Sequence, residues 1–97
     1  MRFFAFSTFR DAMKKHPEVS AQLELLYRDL KSSRFNNLNE VKDHFAGFSI
    51  LNNGRVVFDV HGNKFRVVIK FEFRHQICRV RFVGTHAEYD KIDANSV

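Results

Sequence analysis

A run of ten residues in which apolar and polar side chains alternate, from Phe65 to Arg74, constrains the fold more than any other segment. Every odd position of this run is apolar, and four of its five even positions carry a charge. Successive side chains of a β-strand point to opposite faces of the sheet. The run therefore predicts a strand with one face on a hydrophobic core and the other exposed to solvent.

Turn signals on both sides of this run predict an antiparallel meander. Asn53-Gly54 favours a tight hairpin because both residues readily take positive φ. Gly62-Asn63 and His75-Gln76 mark two further turns. The strands expected around these turns, together with one at the start of the chain, are Arg2–Phe6, Phe48–Leu51, Arg55–His61 and Ile77–Val83.

Helices are expected between the first strand and the meander. Thr8 and Asp11 resemble an N-terminal capping pair for a helix ending near Lys15, and Pro17 suits the first position of a second helix. A third, short helix follows the capping residue Asn37. The second helix has the spacing of an amphipathic helix that packs on a core, with Val19, Leu23, Leu26, Tyr27 and Leu30 on one face.

These patterns predict an α+β protein. An N-terminal strand and two helices pack on an antiparallel sheet of three to five strands, and a short helix ends the chain. A length of 97 residues suits a single domain over residues 1–97. No apolar run approaches the roughly 20 residues that cross a bilayer, so no membrane is involved. The single Cys78 cannot form an internal disulfide, which suits a cytoplasmic protein.

The charge of the chain favours an anionic partner. Lys and Arg number 16 against 11 for Asp and Glu, a formal net charge of +5. If Cys78, Val80 and Phe82 face the core, the polar side of the two long strands contains Glu72 as its only carboxylate. Five cations would then share this face: Arg66, Lys70, Arg74, Arg79 and Arg81. They form either a binding site for an anion or an ordinary solvated sheet surface.

The segment after the last strand contains candidate reactive side chains. Thr85 and Glu88 have the spacing of a capping box, which predicts a helix starting after Gly84. His86 and Tyr89 are three residues apart and lie on one side of that helix. A histidine transfers protons near neutral pH, and a tyrosine hydroxyl donates to phosphate oxygens. The alternative is that both rings simply pack the short helix against the sheet edge.

Four stretches closely resemble the HigB toxins of bacterial type II toxin–antitoxin modules, which belong to the RelE/ParE-like superfamily. They are Phe6–Glu18, Asn52–Val60, Gly62–Val68 and Arg79–Asp93, and they are distributed over nearly the whole chain. The resemblance implies a RelE-like fold. It also implies a metal-independent endoribonuclease without a cofactor, an mRNA interferase that cleaves messages on the ribosome by 2′-hydroxyl attack on the adjacent phosphate.

The resemblance also implies roles and partners. Arg66 would stabilise the scissile phosphate, His86 would transfer a proton, and Tyr89 would orient the phosphate or stack on a base. RNA, including ribosomal RNA, would be bound by Asn63, Lys70, Arg74, Arg79 and Arg81. A HigA-type antitoxin with a helix-turn-helix domain would neutralise the toxin and provide its only link to operator DNA.

Two other functions agree with the same residues. Some ParE-like relatives inhibit DNA gyrase without cutting RNA, so a basic binding module that blocks an acidic partner is one alternative. A small RNA-binding accessory domain is another. Discrete new 5′ ends on cellular messages would distinguish cleavage from both.

Overall fold

A five-stranded mixed sheet forms the frame of the molecule. The computed structural model describes residues 1–62 and 64–97. The strands are β1 (Arg2–Phe4), β2 (Phe48–Ile50), β3 (Arg55–Val60), β4 (Phe65–Glu72) and β5 (Ile77–Thr85). The helices are α1 (Phe6–Lys15), α2 (Ser20–Ser32), α3 (Leu38–His44) and the single-turn α4 (His86–Tyr89). The predicted α+β class is confirmed.

The strand order is β1-β5-β4-β3-β2. Strands β2 to β5 form the predicted antiparallel meander, whereas β1 pairs with β5 in parallel, with Phe4 opposite Arg79. A parallel pair needs a long crossover connection between its strands. Here the chain passes through the helices and the meander before it returns as β5, which makes the parallel edge possible.

The helices mostly follow the predicted pattern. Val19, Leu23 and Leu30 are fully buried on the expected face of α2 and of the 3₁₀ turn that precedes it. The backbone N–H of Glu40 donates to Asn37 Oδ1 over 3.0 Å, so the predicted cap of α3 is present.

The predicted start of α1 is wrong. This helix begins at Phe6, after Ala5 in the left-handed region (φ 63°), and no side chain caps it. Thr8 lies inside the first turn, so Thr8 and Asp11 do not form a cap. Strand β1 pairs with β5 only as far as Phe4, and the chain turns into α1 at Ala5.

The hairpin between β2 and β3 has the predicted turn, since Asn53 and Gly54 both have positive φ (59° and 73°). The next turn uses His61 and Gly62 for its positive φ values. The predicted turn residue Asn63 lies outside the described residues.

A β-bulge changes the facing of β5 along its length. Val68 pairs with Phe82 and Ile69 with Val80, which leaves Arg81 without an opposite residue on β4. One extra residue inverts the alternation of the strand. Phe82 therefore packs on the side away from α1 and α2, and Val83 packs against the main core. The predicted facing of Phe82 and Val83 is wrong for this reason.

The sheet has a hydrophobic cluster on each face. The larger cluster lies beneath the helices and includes Phe9, Leu23 and Ile69. The smaller cluster joins Val57 and Val68 to Ala94 near the C-terminus, with Phe82, Tyr89, Leu51, Ile92 and Val97 packed around them. None of the helices in residues 1–62 and 64–97 combines the length and hydropathy needed to cross a bilayer.

Candidate active site

The junction between β5 and α4 positions the candidate reactive groups. Gly84 lies opposite Arg66 in the sheet register. The backbone N–H of Thr85 donates to Glu88 Oε1 (2.9 Å), and that of Glu88 donates to Thr85 Oγ1 (3.1 Å). This is the predicted capping box. The bond from the Thr85 backbone lowers the pKa of Glu88 below its usual value.

His86 is held at the first turn of α4 by two contacts. Its backbone N–H donates to the carbonyl oxygen of Lys64 over 2.9 Å, and its Nδ1 lies 3.0 Å from Asp90 Oδ2. The His86 side chain is 48% exposed. The carboxylate orients the ring through Nδ1, which leaves Nε2 as the nitrogen that can meet a ligand.

Arg66 lies beside this turn. Its Nη1 is 2.9 Å from Asp59 Oδ1, and its side chain is only 14% exposed. Asp59 is the residue directly opposite Arg66 on β3. The guanidinium carbon also lies 5.8 Å from the centroid of the Tyr89 ring, a cation–π distance. The guanidinium is therefore held between a carboxylate and an aromatic ring.

Tyr89 completes the group. Its ring packs 6.2 Å from that of Phe82, centroid to centroid, on the smaller hydrophobic cluster. No group in the described part of the chain forms a hydrogen bond to its hydroxyl. The structure thus brings Arg66, Tyr89 and the first turn of α4 together, with His86 exposed rather than sealed in the core. We refer to Arg66, His86, Tyr89 and Asp90 as the α4 site.

The remaining predicted cations do not form one continuous patch. Arg74 lies in a 3₁₀ turn, Phe73–His75, so its predicted place on a strand face is wrong. Arg81 is the exposed bulge residue. Lys70 and Arg79 are directly opposite each other as expected.

Carboxylates neutralise part of this charge. Arg79 Nε donates to Glu72 Oε1 over 2.8 Å, and this bond lowers the pKa of Glu72 and raises the pKa of Arg79. The Asp59–Arg66 pair adds a second carboxylate from β3, beside Glu72 on the two long strands.

Two other reactive groups are accounted for. Cys78 is fully buried, and burial raises the pKa of its thiol to about 12, so it is an unreactive core residue. Within the described part of the chain, no three histidine, cysteine or carboxylate side chains are grouped closely enough to hold a metal ion.

Comparison with known proteins assigns the chain to a family. Residues 19–92 match the HigB_toxin family, described as the RelE-like toxic component of a toxin-antitoxin system. This chain belongs to the HigB toxin family. It is 30% identical over 94 residues to the mRNA interferase HigB of Escherichia coli O6:H1 (strain CFT073), which covers 95% of this chain and 91% of that protein.

Two further relatives agree. The chain is 33% identical over 95 residues to the mRNA interferase toxin HigB of Escherichia coli K12, covering 93% of this chain and 88% of that protein. The same figures hold for the mRNA interferase HigB of Shigella flexneri. The predicted family is thereby confirmed.

Two carboxylates that pair with α4-site residues of this HigB-family chain, Asp90 and Asp59, were not among the predicted site residues. Asp90 follows His86 by four residues, and this spacing on a helix is a usable signal for a pair. Asp59 is seven residues from Arg66 in the chain and meets it only through the β3–β4 register. No spacing rule identifies such a partner before the register is known.

Proposed function

We propose that this HigB-family toxin is an mRNA endoribonuclease whose reaction takes place at the α4 site. The proposal depends on the contact between Arg66 and the ring of Tyr89, which lies in the same single-turn helix as the exposed His86. RNA cleavage by a 2′-hydroxyl needs proton transfer and stabilisation of the phosphate charge, and an imidazole, a guanidinium and a phenol can supply these functions. The three relatives are mRNA interferases by name, which supports the same activity for this chain.

The reaction is attack of a ribose 2′-hydroxyl on the adjacent phosphate. The new P–O bond closes a 2′,3′-cyclic phosphate, and the bond to the 5′-oxygen of the next nucleotide breaks. The 2′-hydroxyl loses its proton to solvent water, and the departing 5′-oxygen gains a proton from a protonated side chain. Negative charge builds up on the phosphate oxygens between these events, and the site must stabilise it.

Each residue of the α4 site has a role in this reaction. The Arg66 guanidinium binds the phosphate oxygens, for which its planar shape is suited. Protonated His86 donates from Nε2 to the leaving 5′-oxygen, while Asp90 holds its Nδ1 side. The Tyr89 hydroxyl donates to a phosphate oxygen. Asp59 orients the Arg66 guanidinium and Asp90 orients the His86 imidazole. Neither carboxylate contacts RNA.

The partners follow from the family. The toxin acts in the cytoplasm on messages in the ribosomal decoding site, and a HigA-type antitoxin neutralises it. Four cations outside the α4 site, Lys70, Arg74, Arg79 and Arg81, bind the RNA backbone without distinguishing sequence. Asn63, which the sequence predicts in a turn with Gly62, is also proposed to contact RNA.

Replacing the imidazole tests the proposal. His86→Gln is expected to lower the cleavage rate of ribosome-bound message by about 10²–10⁴-fold, the usual contribution of general acid–base catalysis. Arg66→Gln is expected to reduce it similarly, since a charged ligand of the phosphate is lost. Mapping of 5′ ends after a pulse of expression measures both effects.

Matched controls are available on the helical side. His44 Nε2 lies 2.8 Å from Asp29 Oδ1, and Arg28 Nη2 lies 2.8 Å from Glu24 Oε1, so each control residue also pairs with a carboxylate. His44→Gln and Arg28→Gln should cleave like the wild type. Undiminished cleavage by a folded His86→Gln, Arg66→Gln double variant, or growth arrest with DNA damage and no new 5′ ends, would refute the proposal.

A further inference from the structure

Phe4 is an exposed aromatic residue on an edge strand. Phe3 turns into the main core, where its ring stacks 5.4 Å from that of Phe9. Phe4 therefore points to the opposite face of the sheet, and it is 41% exposed. A single exposed apolar side chain is ordinary on protein surfaces. What distinguishes Phe4 is the charge arranged around its ring.

Two arginines lie against this ring. The guanidinium carbon of Arg2 is 5.9 Å from the ring centroid and that of Arg79 is 5.1 Å away. Arg2 is on the same strand two residues earlier, and Arg79 is directly opposite Phe4 on β5. Glu72 holds Arg79 through its Nε, so in the described part of the chain both terminal nitrogens of Arg79 lack a hydrogen-bond partner. We call Arg2, Phe4 and Arg79 the Phe4 platform.

The platform is on the same sheet face as the α4 site. Arg79 and Gly84 are both on β5, and five residues of strand rise separate them by about 16 Å. Lys70 is opposite Arg79 on β4, and the exposed bulge residue Arg81 lies between the two positions along β5. Lys70 and Arg81 therefore add positive charge on the part of β4 and β5 that lies between the two sites.

We propose that the Phe4 platform is a second RNA-binding site, which stacks an unpaired base and binds its phosphate. Single-stranded RNA is recognised by bases stacked on aromatic rings or on arginine guanidinium planes, with cations along the backbone. The platform supplies all three of these features. The site extends the proposed function, because the bound nucleotide belongs to RNA that contacts the toxin outside the scissile linkage. An acidic protein segment would use the arginines but has no need of the exposed ring.

Binding to RNA that cannot be cut tests the platform separately from catalysis. The probe is a fluorescent single-stranded RNA of about sixteen nucleotides, the upper range of single-strand site sizes, with 2′-O-methyl groups that block the attacking oxygen. Phe4→Leu keeps an apolar side chain and removes the aromatic face. It is expected to weaken binding about 5-fold or more without changing the dependence on salt.

Charge variants give a different signature. Arg2→Gln is expected to lower the slope of log affinity against log salt by about 0.7–1, as for one lost phosphate contact. Ile50→Ala, at an exposed apolar position on the opposite edge strand, and Arg28→Gln on α2 serve as controls that bind like the wild type. Circular dichroism and thermal unfolding confirm that each variant is folded.

Two sources of RNA are separated by a second measurement. Sedimentation with small ribosomal subunits free of message reports contact with ribosomal RNA, whereas the oligonucleotide reports contact with message. A loss caused by Phe4→Leu in either measurement supports the platform and identifies its source. The platform proposal is overturned if the wild type binds neither the oligonucleotide nor the ribosomal subunits, or if Phe4→Leu and Arg2→Gln leave binding unchanged. It is also overturned if Phe4→Leu impairs only neutralisation by the antitoxin. Absence of cleavage by the wild type would instead refute the proposed function and leave these binding results standing.

Discussion

At the scale of single residues, Gly84 shows how closely the α4 site is packed. A Cβ atom at this position would lie 2.6 Å from Phe82 Cζ and 3.1 Å from Glu88 Oε1. Phe82 packs on Tyr89, and Glu88 closes the cap of α4. A side chain at Gly84 would therefore displace the residues that hold Tyr89 and His86 in place.

Gly84→Ala is accordingly expected to reduce both stability and activity. Overpacking of a filled site typically costs about 1–3 kcal/mol, and movement of the Phe82 ring changes the position of Tyr89. Urea unfolding and initial cleavage rates measure the two effects. Adding Phe82→Leu removes the ring atoms in conflict, so the double variant should recover part of the lost stability. No recovery in the double variant would contradict this explanation.

At the scale of the elements, α4 is a single turn that depends on its cap. A helix of four residues cannot be stable on its own, because nucleation is unfavourable. The capping box satisfies two backbone donors at its start, and the packing of Tyr89 fixes its side toward the sheet. The position of His86 thus depends on a few local contacts.

The charge of Glu88 makes this cap sensitive to acid. Its folded pKa lies below the unfolded value of about 4.5, so its contribution is present above that value and is lost as the pH falls through the folded pKa. Glu88→Gln keeps an acceptor oxygen and removes the charge. We expect it to cost about 0.3 kcal/mol at neutral pH and nothing under strongly acid conditions. Urea unfolding as a function of pH measures this difference, and a variant equally destabilised at every pH would contradict it.

The helices, turns and caps could be predicted from the sequence more accurately than the pairing between strands. The face of α2, the Asn53-Gly54 turn and the Thr85–Glu88 box are local patterns, and all of them are present. The bulge at Arg81 and the parallel edge β1 depend on the register between strands distant in sequence. The same limit explains why the sequence indicated His86 and Tyr89 but not Asp59.

At the scale of the whole molecule, the sheet separates two hydrophobic clusters with different tasks. The main core joins the sheet to α1, α2 and α3. The smaller cluster joins it to Tyr89 and to the last residues of the chain, where the Val97 carbonyl accepts a hydrogen bond from Arg55 Nε over 2.8 Å. The α4 site therefore rests on the smaller cluster and is only indirectly supported by the main core.

Adjacent valines on β4 test this division. Val67 and Val68 are both fully buried, the first in the main core and the second in the smaller cluster. Val67→Ala and Val68→Ala each remove two methyl groups and should destabilise the protein by about 1–3 kcal/mol. Val68→Ala alone should also lower the cleavage rate at a temperature where both variants are fully folded, because its cavity loosens the packing beneath Phe82 and Tyr89. Denaturant unfolding and initial rates on ribosome-bound message measure the comparison. Equal losses of activity in the two variants would show that the α4 site depends on overall stability and not on the cluster beneath it.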